Sequence, residues 1–178
     1  MSSLHPEIIA IENELNDILS RVEKIAKEVM QDPNQTAFNE QILAEIVKHL
    51  CIRISAYLQQ SFRILVREYA KKQNSPILYK YLMRSEYGKD EESGSNPTRE
   101  NIIGLLNKLD TSENWSKSFK KLAENNDLLS QLDDFMRVRN KIAHQGRPSS
   151  GVILTVSDIK RYYSVTKEIV SILAGICI

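Results

Sequence analysis

The chain has 178 residues and a net charge of +1, a length that fits one domain able to bury roughly two-thirds of its unfolded surface. Near-neutral charge excludes a polycation built to neutralise many phosphates, so any nucleic-acid site must be local. Cys51 and Cys177 stand far apart, without CxxC spacing or a neighbouring histidine cluster. They are expected as buried free thiols in a reducing compartment rather than as a disulfide or a zinc site. The opening residues through Pro6 lead into a charged amphipathic run, not a basic segment followed by an apolar one, so a cytoplasmic protein without a signal peptide is expected. The longest apolar stretch, 169–178, is about half of the ~20 residues a membrane span needs. It is expected to be a core helix, with no membrane partner.

Almost nothing alternates with period two, and Pro and Gly fall mostly between segments of helical period, so the expected class is all-α. A first helix begins near Pro6, with apolar positions at Ile8, Ile11, Leu15, Ile18, Val22, Ile25 and Val29. That three-four spacing is a narrow seam, facing either the core or a second subunit. A turn at 32–35 leads to Thr36, a cap for a long second helix running from Phe38 through Ile42, Ile46, Leu50 and Leu58 to about Lys72. Ser75 and Pro76 start a short helix through Ile77, Leu78, Tyr81 and Leu82. Residues 86–97 lack bulky apolar side chains after Tyr87 and are expected to be a mobile surface loop inside a single 1–178 domain. Thr98 caps a helix from Arg99 to Leu109, and Trp115, Phe119 and Leu122 mark a further amphipathic turn or two. Asn126 or Asp127 caps a helix to about His144, stopped by Gly146, and Ser157 caps the last helix.

The helix ending at His144 carries one anomaly. Its apolar face runs Leu128, Leu132, Phe135, then Arg139, then Ile142. A guanidinium in a core position is costly unless it reaches a carboxylate, a phosphate, water or a subunit boundary. Asp133, Arg137, Asn140 and His144 form a second stripe, so polar groups converge near the helix end. Arg139 and His144 are five residues apart, about 140° on an ideal helix, and a single helix aims them differently. Two such helices about a two-fold axis would line one cleft with both pairs. Histidine exchanges protons near neutral pH, and arginine offers a planar fork for a phosphate. Asn140 would orient its neighbours or a ribose hydroxyl. The set holds no hard-cation ligand cluster, which suits metal-independent transesterification by an RNA 2′-hydroxyl, with no metal and no cofactor. The residues alone also allow a simpler account, in which Arg139 and His144 serve the helix's C-terminal dipole.

The run from Leu132 to Gly146, with Arg139-Asn140-Lys141-Ile142-Ala143-His144 at its centre, resembles the signature of the HEPN superfamily, an arginine followed after four to six residues by a histidine. Its place at the end of a late helix, after a long helical pair and before one more helix, is similar to the RiboL-PSP or MAE-like HEPN groups. The resemblance implies a homodimeric bundle of long antiparallel and shorter helices. It also implies that Arg139, His144 and the polar Asn140 are active-site residues of a metal-independent endoribonuclease. A toxin or antiviral defence effector is the implied role, with RNA as substrate and an antitoxin or defence-system protein as a possible partner. Two positions depart from the pattern. Gly146 stands where toxins silenced by tyrosine modification carry the tyrosine, and the second-helix stretch 55–60 offers neutral groups where many members carry an acid.

The rest of the sequence supplies weaker features. Arg63, Arg67, Lys71 and Lys72 on the second helix, and Lys117, Lys120 and Lys121, are solvated faces or tracks for an RNA backbone. His5 and His49 lack partners in sequence. Tyr79, Tyr81, Tyr162 and Tyr163 are expected in core or rim packing, with base stacking as the alternative. No GxGxxG, P-loop or HExxH is present. The rivals to a nuclease are a non-catalytic HEPN module that dimerises or binds nucleotides and recruits partners, and a purely structural bundle, which leaves Arg139 unexplained.

Overall fold

The computed structural model describes residues 4–29, 36–72, 76, 77, 80, 97–109, 120–148 and 153–177, without the side chains of 36, 37, 105, 108 and 109. Among these residues there are five long helices and no strand: α1 (Pro6–Val29), α2 (Thr36–Lys72), α3 (Arg99–Leu109), α4 (Asn126–Gln145) and α5 (Val156–Cys177). The all-α expectation holds. The turn at 32–35, the loop over 86–96, Leu78, Tyr79, Tyr81, Leu82, Trp115, Lys117, Phe119 and the capping side chain of Thr36 lie outside what is described. Pro76, Ile77 and Lys80 are helical as expected, but Ile77 is 84% exposed rather than packed.

Helix directions follow from side-chain pairs. Arg67 meets Glu7 at 3.1 Å and Arg53 meets Glu14 at 2.9 Å, so α1 and α2 are antiparallel. Lys160 meets Glu23 at 2.7 Å and Lys167 meets Glu12 at 3.5 Å, which sets α5 antiparallel to α1 as well. The exposed pairs among these fix register more than stability, since each contributes about 0–1 kcal/mol. The free energy comes from burial of Ile54, Leu58, Leu65, Leu132, Phe135, Ile159 and Leu173, all 0% exposed, at about 1.5–3 kcal/mol for each large side chain. α4 returns against α2 and α5, with the Phe135 and Tyr162 rings 5.0 Å apart. α3 lies on α4, where Arg99 reaches Asp133 and Asn126.

Several local expectations need correction. In α1 the buried line is Ile8, Glu12, Leu15, Leu19 and Val22, while Ile11 and Ile18 are only partly buried and Ile25 is 38% exposed. The 3.6-residue period rotates this face away from a strict seven-residue seam. At the start of α2, Phe38 is 66% and Ile42 is 42% exposed, so those turns run past the core. Helix α4 is capped by Asn125, whose side chain accepts from the Leu128 N–H at 3.1 Å, not by Asn126 or Asp127. Helix α5 starts from Thr155, not Ser157. The Asp158 N–H donates to Thr155 Oγ1 at 3.1 Å and the Thr155 N–H donates to Asp158 Oδ2 at 3.0 Å, a reciprocal capping box. Thr98 caps α3 as expected, through the Asn101 N–H at 3.3 Å. His5, without a partner in sequence, caps α1 by accepting from the Glu7 N–H at 3.3 Å.

Candidate functional site

The site is the last two turns of α4 and what they meet. Gly146 ends the helix in the left-handed conformation, φ 67°, and its N–H donates to the Ile142 carbonyl at 2.8 Å. Glycine is required there by conformation, because space for a Cβ is open. This cap fixes where the helix stops, at Gln145, one residue after His144.

Arg139 lies on the core-facing side of α4 between the buried Phe135 and Ile142, and is itself half-buried. Its Nη1 donates to Asn140 Oδ1 at 3.1 Å. Its Nε is shut away from solvent and has no hydrogen-bond partner, and no described carboxylate pairs with the guanidinium. Burial lowers its pKa from the usual arginine value, partly offset by Cys51. Cys51, on α2, is completely buried, and burial pushes its thiol up to about 12 against the pull of Arg139. The thiol is therefore neutral at cellular pH, and Arg139 has no counter-ion in it.

His144 is exposed, and no described side chain pairs with it. Within one chain α4 brings Arg139 and Asn140 into contact and leaves His144 on a different aspect of the helix end, as the five-residue spacing requires. Of the second stripe, Asp133 is drawn to Arg99 and Arg137 pairs with Asp134 at 3.3 Å. One neighbour of the site escaped sequence reasoning: Cys51, which faces Arg139 across the helix pair. One turn on, Ser55 is also buried, and its Oγ has no partner. No local signal on α2 marks either residue.

Other candidate features resolve into structure. Tyr162 packs on Phe135 beneath Arg161, whose guanidinium lies 5.1 Å from the ring centre. Tyr163 is buried and its hydroxyl donates to the Glu12 carbonyl at 3.2 Å. Neither ring is offered to a base. Arg67 and Lys71 pair with Glu7 and Glu68, whereas Lys120 and Lys121 are exposed. Glu12, unforeseen, is a buried carboxylate that accepts from the Tyr57 hydroxyl at 2.5 Å, joining α1 to α2. His49 lines a groove of about 840 Å³ with Ile18, Phe38, Ile42 and Leu50. It sits about 200° round α2 from Cys51, away from Arg139. Among the described residues, no three His, Cys, Asp or Glu side chains gather as a metal site, and no helix is long and apolar enough to cross a membrane.

A helical bundle whose late helix ends in an arginine-asparagine pair and a histidine five residues on is the arrangement of a HEPN domain. The RiboL-PSP-HEPN family model matches residues 7–178, and the chain belongs to that family. That match selects the RiboL-PSP side of the two resemblances. No curated protein and no solved structure matches the chain.

Proposed function

We propose that this chain is a metal-independent endoribonuclease that acts as a homodimer, with Arg139, Asn140 and His144 from two copies lining one cleft. The observation that carries the proposal is Arg139. A half-buried guanidinium with no carboxylate, one orphaned donor and a neutral thiol as its neighbour is a poor structural element, and it is well suited to an anion that arrives from outside. Family membership adds weight, because HEPN domains are commonly ribonucleases.

In this mechanism one His144 takes the proton of the RNA 2′-hydroxyl as its oxygen attacks the adjacent phosphorus. The bond to the 5′-oxygen breaks, and a second imidazole, His144 of the other copy, returns a proton to that leaving oxygen. Arg139 stabilises the charge that builds on the phosphoryl oxygens, and Asn140 holds the guanidinium through its Nη1. The products are a 2′,3′-cyclic phosphate and a 5′-hydroxyl. In a cell such an activity suits a toxin or antiviral defence effector held in check by an antitoxin or another defence-system protein, in the cytoplasm.

The test is cleavage of mixed-sequence RNA in EDTA by the wild type and by His144→Ala. The wild type is expected to leave cyclic phosphate ends and spare DNA, and the variant to be slower by ~100-fold or more. Equal, background-level cleavage would instead support a second reading, a non-catalytic HEPN module that dimerises or binds nucleotides and recruits partners. The exposed, unpartnered state of His144 in a single chain favours that second reading.

A further inference from the structure

The turn behind His144 carries a cation with a distinctive setting. Residues 137–161 contain six Lys/Arg and a single carboxylate, Asp158, while the other 153 residues carry 18 Lys/Arg against 22 Asp/Glu. The near-neutral whole thus divides into a basic segment spanning the α4–α5 turn and an acidic remainder.

Half of the six cations in that segment are held by carboxylates. Arg137 is held by Asp134, Lys160 by Glu23 and Arg161 by Asp158. Elsewhere Arg21, Arg53, Arg67 and Arg99 also have carboxylate partners. Among the described arginines, only Arg63, Arg139 and Arg147 lack one. Arg63 is partly buried, with one Nη shut away. Arg147 is therefore the one exposed arginine, among those described, that no acid neutralises.

Its backbone is fixed from both sides. Gly146 before it is locked into the left-handed cap of α4, and Pro148 after it is buried. A residue preceding proline is also confined to extended conformations. Arg147 thus projects an uncommitted guanidinium from a pinned turn, and little backbone freedom is lost when it closes on a ligand. It lies three positions beyond His144, so the two Cα atoms are at most about 11 Å apart. Such a spacing suits the phosphates next to a scissile one.

We propose that Arg147 is a phosphate-binding residue that holds the RNA strand beside the cut site; this rests on the reading of the site as a ribonuclease. It grips the sugar-phosphate backbone and reads no base. Its loss therefore weakens binding about equally for all sequences and reduces the salt dependence.

Two measurements on the full chain test this. In the first, binding of single-stranded mixed-sequence RNA is followed in EDTA from about 50 to 200 mM salt, with His144→Ala as the parent. Adding Arg147→Ala should weaken binding about tenfold, the scale of one charged contact. The slope of log K against log salt should fall by about 0.7, and Arg147→Lys should recover most of that slope. Arg21→Ala, on α1, is the control and should change neither quantity. In the second, Arg147→Ala in the otherwise native chain should raise KM about tenfold with kcat unchanged. Unchanged affinity and slope, an equal loss in Arg21→Ala, or a fall in kcat at constant KM overturns the assignment. A wild type that binds RNA without cutting it refutes the nuclease while the slope still decides Arg147, and a wild type that binds no RNA refutes both.

Discussion

Replacing Arg139 by methionine separates the cost of its charge from the benefit of its stem. Methionine keeps an unbranched chain of similar reach against Phe135 and Ile142, and removes the guanidinium. What is lost is the half-buried hydrogen bond from the charged guanidinium to Asn140 Oδ1 at 3.1 Å, worth about 1.5–3 kcal/mol. What is removed is a desolvated cation whose Nε has no partner, and a buried unsatisfied donor costs about 1–3 kcal/mol. Exchange of buried charges for apolar groups of similar volume is often neutral or stabilising by about 1–4 kcal/mol. The two nearly cancel, so the expected net lies within about 1 kcal/mol of zero, which for a chain of 178 residues keeps Tm within roughly 4 °C of wild type. RNA cleavage should be lost at the same time. Arg139→Ala should instead lower Tm, because it also removes the stem and leaves a void. Thermal unfolding by circular dichroism, with light scattering to hold oligomeric state constant, reads both. An Arg139→Met chain that keeps its oligomeric state yet melts more than about 4 °C below wild type, roughly 1 kcal/mol or more of lost stability, would refute the reasoning and make the guanidinium structural.

Burial and backbone conformation set three further outcomes. Cys51, Cys177 and Tyr163 are each pushed up to about 12 in the folded chain, chiefly by burial, above unfolded values of about 8.5 for a thiol and about 10 for a phenol. Their stability contribution is whole below those unfolded values and is lost as pH rises toward 12, because the unfolded chain releases protons that the folded chain retains. Urea midpoints should therefore fall from about pH 9 upward, and a flat profile between pH 9 and 11 contradicts this. The same burial should leave both thiols unreactive to an aromatic disulfide reagent at pH 8 in the native chain and fully reactive in denaturant. Gly146→Ala should cost about 1 kcal/mol, or 2–4 °C in Tm, because the left-handed φ of 67° and not crowding is the obstacle; an unchanged Tm would mean that the turn relaxes freely.

How much is legible in the sequence depends on the range of the interaction. Helix ends set by local chemistry are readable to within a residue or two: Pro6, Thr98 and Gly146 mark α1, α3 and the end of α4 as expected. Ser157 competes with Thr155 as a cap because the capping box is a pair, and only Asp158 three residues on distinguishes the two. The α1 seam misleads because apolar residues fill two adjacent lines, and only packing decides that Glu12 and Leu19 face inward. Glu12 itself could not be foreseen, since its burial depends on Tyr57, 45 residues away, and on Lys167 at the far end of the chain.

The candidate site divides along the same line. Arg139 announces itself locally, because a charge in a heptad-like apolar face violates the pattern that buries the helix. Its partner Asn140 is adjacent in sequence, so their contact is also within reach. Cys51 as the neutral neighbour of that charge is not, since nothing local distinguishes it from any other small residue on the buried side of α2. The geometry then constrains the chemistry further than the motif does. Helical spacing aims Arg139 and His144 about 140° apart around α4 in every copy of this chain, the first toward the core side and the second into solvent. The proposed composite site therefore predicts that the second copy approaches the C-terminal end of α4, where His144 and Arg147 stand exposed.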